Sequence, residues 1–311
     1  MNTLGSEQLA WVESPLQLVC AAEYAAERYA RAGQRTAVAF RLTGEQMSST
    51  ARELLDRGAH FSSCEPYVGI PWRLLTSHHS WIIGDAFSGQ FRTAMSSLRA
   101  RSVTVVDDGA ISIHLARALV DEVDFVRPEQ RESTLKVMLG ARTRTRMRAL
   151  SARGRAQLFT AFAAHPTMDR LQRTGFEVSE NGFEWIRRTA RPITLPHPRI
   201  VLGSAQVADR TLGAEDHVRW VAAHAAHAPI SYLPHRREPV EVTRRIEAMH
   251  GVEVVRTGLP VELALAGTTV PLEVLATQSS AVTTLRTVLV GTGSSVHADV
   301  PNPGSERRVT A

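Results

Sequence analysis

The sequence predicts an α/β fold of two Rossmann-like βα domains facing each other across a cleft. Three observations predict it. Short aliphatic or β-branched runs alternate with longer amphipathic segments along the chain, the pattern of parallel strands joined by crossover helices. Several of these runs end at Gly, Asp or Ser, and open α/β sheets bind ligands outside the carboxyl ends of their strands. The alternation is broken once, by ARPITLPHPRI, whose prolines at 192, 196 and 198 resist regular structure. We therefore expect a first domain over 1–190, a linker over 191–199, a second domain over 200–298 and a disordered tail over 299–311.

Taken in order, Leu9 to Val12 forms a strand that runs straight into a helix. Ser14 is a good N-cap, Pro15 fits the first helical position, Gln17 completes a capping box, and Gly33 supplies the stop. ESPLQL is thus a strand-to-helix turn whose free N–H groups sit above the sheet, or simply a well-capped helix. Thr36 to Phe40 reads as the next strand, and Glu45 to Arg57, closed by Gly58, as a helix. Trp81 to Ile83 is a strand ending at Gly84 and Asp85. Val103 to Val106 is a buried strand that stops at Asp107, Asp108 and Gly109. Two carboxylates at such a strand end suit a general base, although Asp-Gly is also a common turn dipeptide. Residues 158 to 190 read as a helix or hairpin that finishes this domain.

In the second half, strands are expected at 200–202, 230–233, 252–255 and 273–277, with helices near 214–226 and 240–250 and a short one from Pro260. A new helix starts at Ser279 and Ser280, and 287–290 reads as a last strand. His235 follows the strand ISYL, beside Arg236 and Arg237. Ser279 and Ser280 stand where hydroxyls and helix N–H groups can hold a phosphate. Each of these has a plain alternative, a surface histidine or a helix cap without a ligand.

Composition bounds the function classes. The chain has 311 residues, 43% hydrophobic and 22% charged, with a net charge of +5 carried almost wholly by arginine. That is an ordinary globular composition with a general attraction for anions. Cys20 and Cys64 support neither a disulfide framework nor a thiolate zinc site. No leader-like start and no run of about 20 apolar residues is present, so the expected location is cytoplasmic, at most peripheral on the inner membrane face. Within 141–155, six arginines occur without an acid, including Arg142, Arg144, Arg146 and Arg148. They read as a solvated face or as a docking patch for anionic lipid. The patch has no aromatic residue for base stacking, and no nucleic-acid partner is expected. His217, His224 and His227 read as a partly solvated helix face, and GTGSSV (291–296) lacks the Gly-Lys-Ser/Thr ending of a phosphate loop.

ESPLQL (13–18), IIGD (82–85), VVDDG (105–109), YLPHRRE (232–238) and TQSSA (277–281) follow one another in an order that resembles the bacterial GT-B sialyltransferases, particularly the lipooligosaccharide sialyltransferase and capsular polysialyltransferase-like groups. The resemblance spans roughly Leu9 to residue 290. It implies Asp108 as general base, supported by Asp107, Gly109 and Asp85. It implies His235 as the group that hydrogen-bonds or protonates the departing phosphate. Ser279 and Ser280, with Arg237, Gly203 and Ser204, would hold the donor phosphate and nucleotide, and Ser14, Pro15 and Gln17 would form a turn of the cleft. Arg236 stands where that family usually has Pro after the histidine; a literal His-Pro does exist at His197-Pro198, in the linker before the second domain's first strand. The implied reaction is inverting, needs no cofactor or metal, and joins a CMP-activated sugar to a glycan or glycolipid acceptor. A transferase using another nucleotide sugar would share this architecture, and a non-enzymatic basic protein would explain the arginines but not the strand-end motifs.

Overall fold

The computed structural model describes residues 8–128 and 130–299. The chain divides into two compact units, residues 1–189 and 190–311. Unit 1 contains β1 (Gln8–Val12), α1 (Pro15–Ala32), β2 (Thr36–Arg41), α2 (Glu45–Asp56), β3 (Phe61–Tyr67), α3 (Trp72–Ser77), β4 (Ser80–Ile83), α4 (Gly89–Ser97), β5 (Ser102–Val106), α5 (Ile111–Leu119), α6 (Thr134–Ser151), β6 (Ala156–Thr160), α7 (Pro166–Arg173), β7 (Glu177–Glu180) and α8 (Glu184–Thr189). Its strands form one seven-stranded sheet, all parallel, in the order β3-β2-β1-β4-β5-β6-β7. The central strands are aliphatic because both of their faces are covered: every residue of β4, and all but the first of β1 and β5, is buried. The order reverses between β1 and β4, which puts a crevice outside their carboxyl ends.

Unit 2 repeats the plan on a smaller scale. It contains β8 (Arg199–Leu202), α9 (Ala205–Ala208), α10 (Ala214–His227), β9 (Ile230–Leu233), α11 (Val240–Glu247), β10 (Val252–Val254), α12 (Val261–Leu265), β11 (Glu273–Ala276), α13 (Ser280–Val288) and β12 (Ser295–Ala298). The five parallel strands run β10-β9-β8-β11-β12, and the order reverses between β8 and β11.

Two expectations are corrected. Residues 158–190 are neither a lone helix nor a hairpin, but carry the parallel sheet on through β6, α7 and β7. Residues 287–290 close α13 instead of forming a strand. The last strand comes later, out of GTGSSV, where Gly291 and Gly293 take positive φ and Ser294 Oγ accepts Leu272 N–H at 2.9 Å. The proline-rich segment forms no helix or strand and has partners of its own: Ile193 bridges to Thr268, and His197 exchanges two hydrogen bonds with the Ser231 hydroxyl, at 2.9 and 3.0 Å. A Cβ at Gly267 would overlap the Arg191 carbonyl, so glycine is what lets this strap lie flat on unit 2. The tail expected over 299–311 lies outside the described residues beyond Asp299, which accepts from Trp220 Nε1 and His224 Nε2, each at 3.1 Å.

The arginines of 142–148 are also corrected. They are largely internal clamps: Arg144 and Arg148 reach Asp121 at 2.9 and 2.7 Å, Arg146 donates to the carbonyls of Met95 and Leu98 that end α4, and Arg148 donates to the Leu119 carbonyl that ends α5. Guanidinium groups satisfy the last carbonyls of two helices in this way. Of the four, Arg142 alone is exposed, and the other three are half-buried. No helix among the described residues is long and apolar enough to cross a membrane.

Candidate active site

In unit 1 the motif residues meet at the carboxyl edge of the sheet. Ser14 is the N-cap of α1 in extended conformation, and its hydroxyl accepts the Gln17 N–H at 3.3 Å. The same hydroxyl donates to Asp108 Oδ1 at 2.9 Å, across 94 residues of sequence. The helix cap and the acidic strand end are therefore one structure. Gln17 is buried, and its Oε1 accepts from Glu13 N–H at 2.7 Å, so the reciprocal bond of the expected capping box falls one residue earlier than Ser14. Gly84 makes room for that carboxamide, since a Cβ there would lie 2.0 Å from Gln17 Oε1. Pro15, at the first helical position, is buried.

The two aspartates have different environments. Asp107 is fully buried and ties β5 to its neighbours by accepting from Ser112 Oγ at 2.6 Å and from Ala161 N–H at 2.5 Å. Burial pushes its carboxyl up to about 6, and the charge of Asp108 adds to the push against the hydrogen bonds it accepts. Asp108 is half-buried at the crevice. Gly109 follows at φ +77°, a left-handed turn that favours glycine. Asp85 is buried at the end of β4, where it caps Phe87 N–H at 2.8 Å and pairs with Arg127. Its carboxyl is raised by burial, against the opposing charge of Arg127.

Sequence reasoning missed the residues that hold this edge together. Glu13 accepts from Ser88 Oγ at 2.7 Å and from Arg41 at 3.2 Å. Arg92 is fully buried against Glu132, beside the paired rings of Phe87 and Phe125, and donates to the Lys136 carbonyl. Arg127 and Glu132 belong to the loop between α5 and α6, so two ion pairs fasten that loop beside β4.

Unit 2 shows the same convergence. Gly203 and Ser204 follow β8, Pro234 and His235 follow β9, and Thr277 follows β11; these three strands are adjacent. Ser204 caps α9 through Gln206 N–H at 3.2 Å and accepts from Thr277 Oγ1 at 3.0 Å. Gly203 lies flat against the next turn, where a Cβ would come within 2.4 Å of His235 N and 2.9 Å of Pro234 Cα. Ser279 is the N-cap of the nine-residue α13, yet its hydroxyl caps nothing. With Ser280 at the first helical position, the N–H groups that open the helix stand at this edge.

His235 is half-buried, and burial together with the charges of Arg237 and Arg236 lowers its imidazole to about 4. Its Nδ1 accepts the Arg237 N–H at 3.2 Å, which leaves the proton of the neutral ring on Nε2. Arg237 itself is engaged in a two-pronged pair with Asp209, both distances 2.8 Å. A phosphate would have to draw it from a surface pair, a type of contact worth little.

Glu238, also missed, underlies these turns. It is buried, accepts from Tyr232 OH at 2.7 Å and Thr243 Oγ1 at 2.8 Å, and takes further hydrogen bonds from the backbone of His235 and Ser204. His217 Nε2 lies 2.9 Å from Tyr232 OH. The expected partly solvated histidine face is corrected at His217, a buried member of this network; His224 is half-buried and His227 exposed, with separate partners in Asp299 and the Ala223 carbonyl. Among the described residues no group of three or more His, Cys, Asp or Glu side chains could hold a metal ion.

No family model and no curated protein matches the chain. Among solved structures, the chain is similar to UDP-GlcNAc 2-epimerase from Neisseria meningitidis, bound to UDP-GlcNAc in its crystal structure, with 9% sequence identity, a TM-score of 0.36, and coverage of 87% of this chain and 77% of that one.

Proposed function

We propose that this chain is an inverting, metal-independent glycosyltransferase of GT-B type that moves sialic acid, or a related nonulosonic acid, from a CMP-activated donor to a hydroxyl of a glycan or glycolipid. The observation that carries the reading is the meeting of two separate motifs in the Ser14–Asp108 hydrogen bond, at the switch-point edge of unit 1. The Ser204–Thr277 contact and the fit of Gly203 under His235 support it from unit 2.

In this reaction the acceptor O–H gives its proton to the Asp108 carboxylate as its oxygen attacks the anomeric carbon. The bond from that carbon to the donor phosphate breaks on the opposite side, and cytidine monophosphate leaves with the electron pair. Ser14 orients the base by holding one carboxylate oxygen. Asp107, locked between β5, α5 and β6, holds the turn that presents Asp108. His235 donates Nε2–H to the departing phosphate, and Ser279, Ser280 and the N–H groups opening α13 take the remaining charge, as oriented donors do wherever charge develops in a transition state. The same fold would serve another nucleotide sugar, so base preference has to be measured.

A phosphate dianion beside His235 must favour the imidazolium, which fixes the direction of an NMR test. In the free protein the His235 ring is expected to titrate near 4. On saturation with cytidine monophosphate its midpoint should move upward. A ring whose titration is untouched by bound nucleotide would remove His235 from the phosphate site.

A further inference from the structure

We infer that Arg210, at the carboxyl edge of unit 2, binds the phosphate of the nucleotide donor. The inference rests on the reading of that edge as a donor site, and it adds a cation that lies outside every sequence motif. Three non-glycine residues among those described have a left-handed backbone: Asp121, Phe183 and Arg210, at φ +65°, +50° and +59°. That conformation crowds a Cβ against the backbone and favours glycine. Two of the three have a structural use for their side chain. Asp121 holds Arg144 and Arg148 at 2.9 and 2.7 Å, and Phe183 is wholly buried in unit 1. Arg210 has no such use. It is exposed, and among the described residues its side chain makes no ion pair and no hydrogen bond.

The turn that carries Arg210 is fastened on two sides. α9 ends at Asp209, and the amides of Thr211 and Leu212 turn back to the Gln206 carbonyl at 3.0 and 3.1 Å. On one side the Gln206 carboxamide donates to the Gln278 carbonyl at 2.8 Å, immediately before Ser279. On the other, Asp209 holds Arg237, two residues beyond His235, by both of its oxygens at 2.8 Å. Arg210 therefore stands on a turn tied both to the start of α13 and to the histidine turn.

The chemistry of this edge leaves a place for a cation. Ser279 and Ser280 offer neutral donors, and the His235 ring, lowered to about 4, is uncharged near neutral pH. Arg237 is taken up by Asp209. The other acids that follow this turn are held elsewhere, Glu215 by Arg245 and Asp216 by Arg219. Arg210 thus keeps its charge available, and a guanidinium matches two oxygens of a phosphate at once.

The test is calorimetric titration of the full chain, and of its Arg210→Gly and Arg210→Lys variants, with cytidine, uridine and guanosine monophosphates. Glycine accepts the left-handed backbone, so Arg210→Gly should keep the wild-type Tm or raise it. Whichever monophosphate the wild type binds, the glycine variant should bind about tenfold or more weakly, the scale of a hydrogen bond to a charged group. Arg210→Lys keeps a charge and should bind more tightly than the glycine variant. Equal binding by the wild type and Arg210→Gly overturns the inference and leaves the donor site standing. Equal weakening in both variants also overturns it, as does a fall in Tm for Arg210→Gly, which would make the arginine a structural residue. A wild type that binds none of the three monophosphates removes the donor site, and the inference with it.

Discussion

Asp108→Asn is expected to lower kcat by about two to four orders of magnitude while leaving the fold and the affinity for donor nucleotide intact. Asparagine has nearly the shape of aspartate, and its amide oxygen can still accept the Ser14 hydroxyl that fixes Oδ1 at 2.9 Å. The helix cap and the strand end therefore stay joined. What disappears is basicity, so an acceptor hydroxyl no longer has a carboxylate to take its proton as the new bond forms. The check is transfer from a CMP-activated sugar to a glycan acceptor, run beside thermal unfolding of both proteins. A variant that keeps wild-type turnover places the base elsewhere, and one whose Tm collapses shows that Asp108 is chiefly a structural partner of Ser14.

Gly203→Ala should produce a large structural effect at the candidate nucleotide edge of unit 2. The new methyl would fall 2.4 Å from both the His235 backbone nitrogen and Glu238 Oε2, and 2.9 Å from Pro234 Cα. Two of these three atoms are backbone, so no rotamer change relieves the contact and the carboxyl ends of β8 and β9 must separate. That motion strains the Gly203 N–H bond to the Leu233 carbonyl at 2.8 Å and the hydrogen bonds that Glu238 gathers from Tyr232 and Thr243. Overpacking of this kind costs about 1–3 kcal/mol. The expected result is a lower Tm for unit 2 with loss of nucleotide binding. Gly89→Ala is the control: no atom lies within 4 Å of its Cβ position and its φ is not positive, so it should change little.

The central strands were legible because burial on both faces favours continuous apolar or β-branched runs such as LAWV, WII and VTVV. Their terminal residues were legible for the same reason, since polar residues and glycine mark where the chain leaves the sheet. Edge strands were not. β3 reads FSSCEPY and carries a proline that only an edge tolerates, and β7 reads EVSE with no buried residue. The supporting side chains were hidden for another reason. Glu238 sits in a run of charged residues and Arg127 in an irregular loop, and their roles come from Tyr232, Thr243 and Asp85, which local pattern does not connect to them. The arginines of α6 misled in the opposite direction. Their charge is visible in the sequence, but Asp121 and the helix-end carbonyls that absorb it are brought there only by folding. Of the five sequence motifs, ESPLQL, IIGD and VVDDG gather at the switch-point edge of one sheet, and YLPHRRE and TQSSA at that of the other.

The most direct test of the proposed donor chemistry is calorimetric titration of the full chain with cytidine, uridine and guanosine monophosphates, repeated on the Ser279→Ala, Ser280→Ala double variant. Ser279 Oγ makes no capping bond, so its removal should leave α13 in place and report on the ligand alone. The wild type should bind the cytidine nucleotide selectively, and the variant should lose that binding at unchanged Tm. Absence of cytidine nucleotide binding, or equal binding by both proteins, would contradict that chemistry. Selective uptake of the uridine or guanosine nucleotide would instead assign a transferase with a different donor.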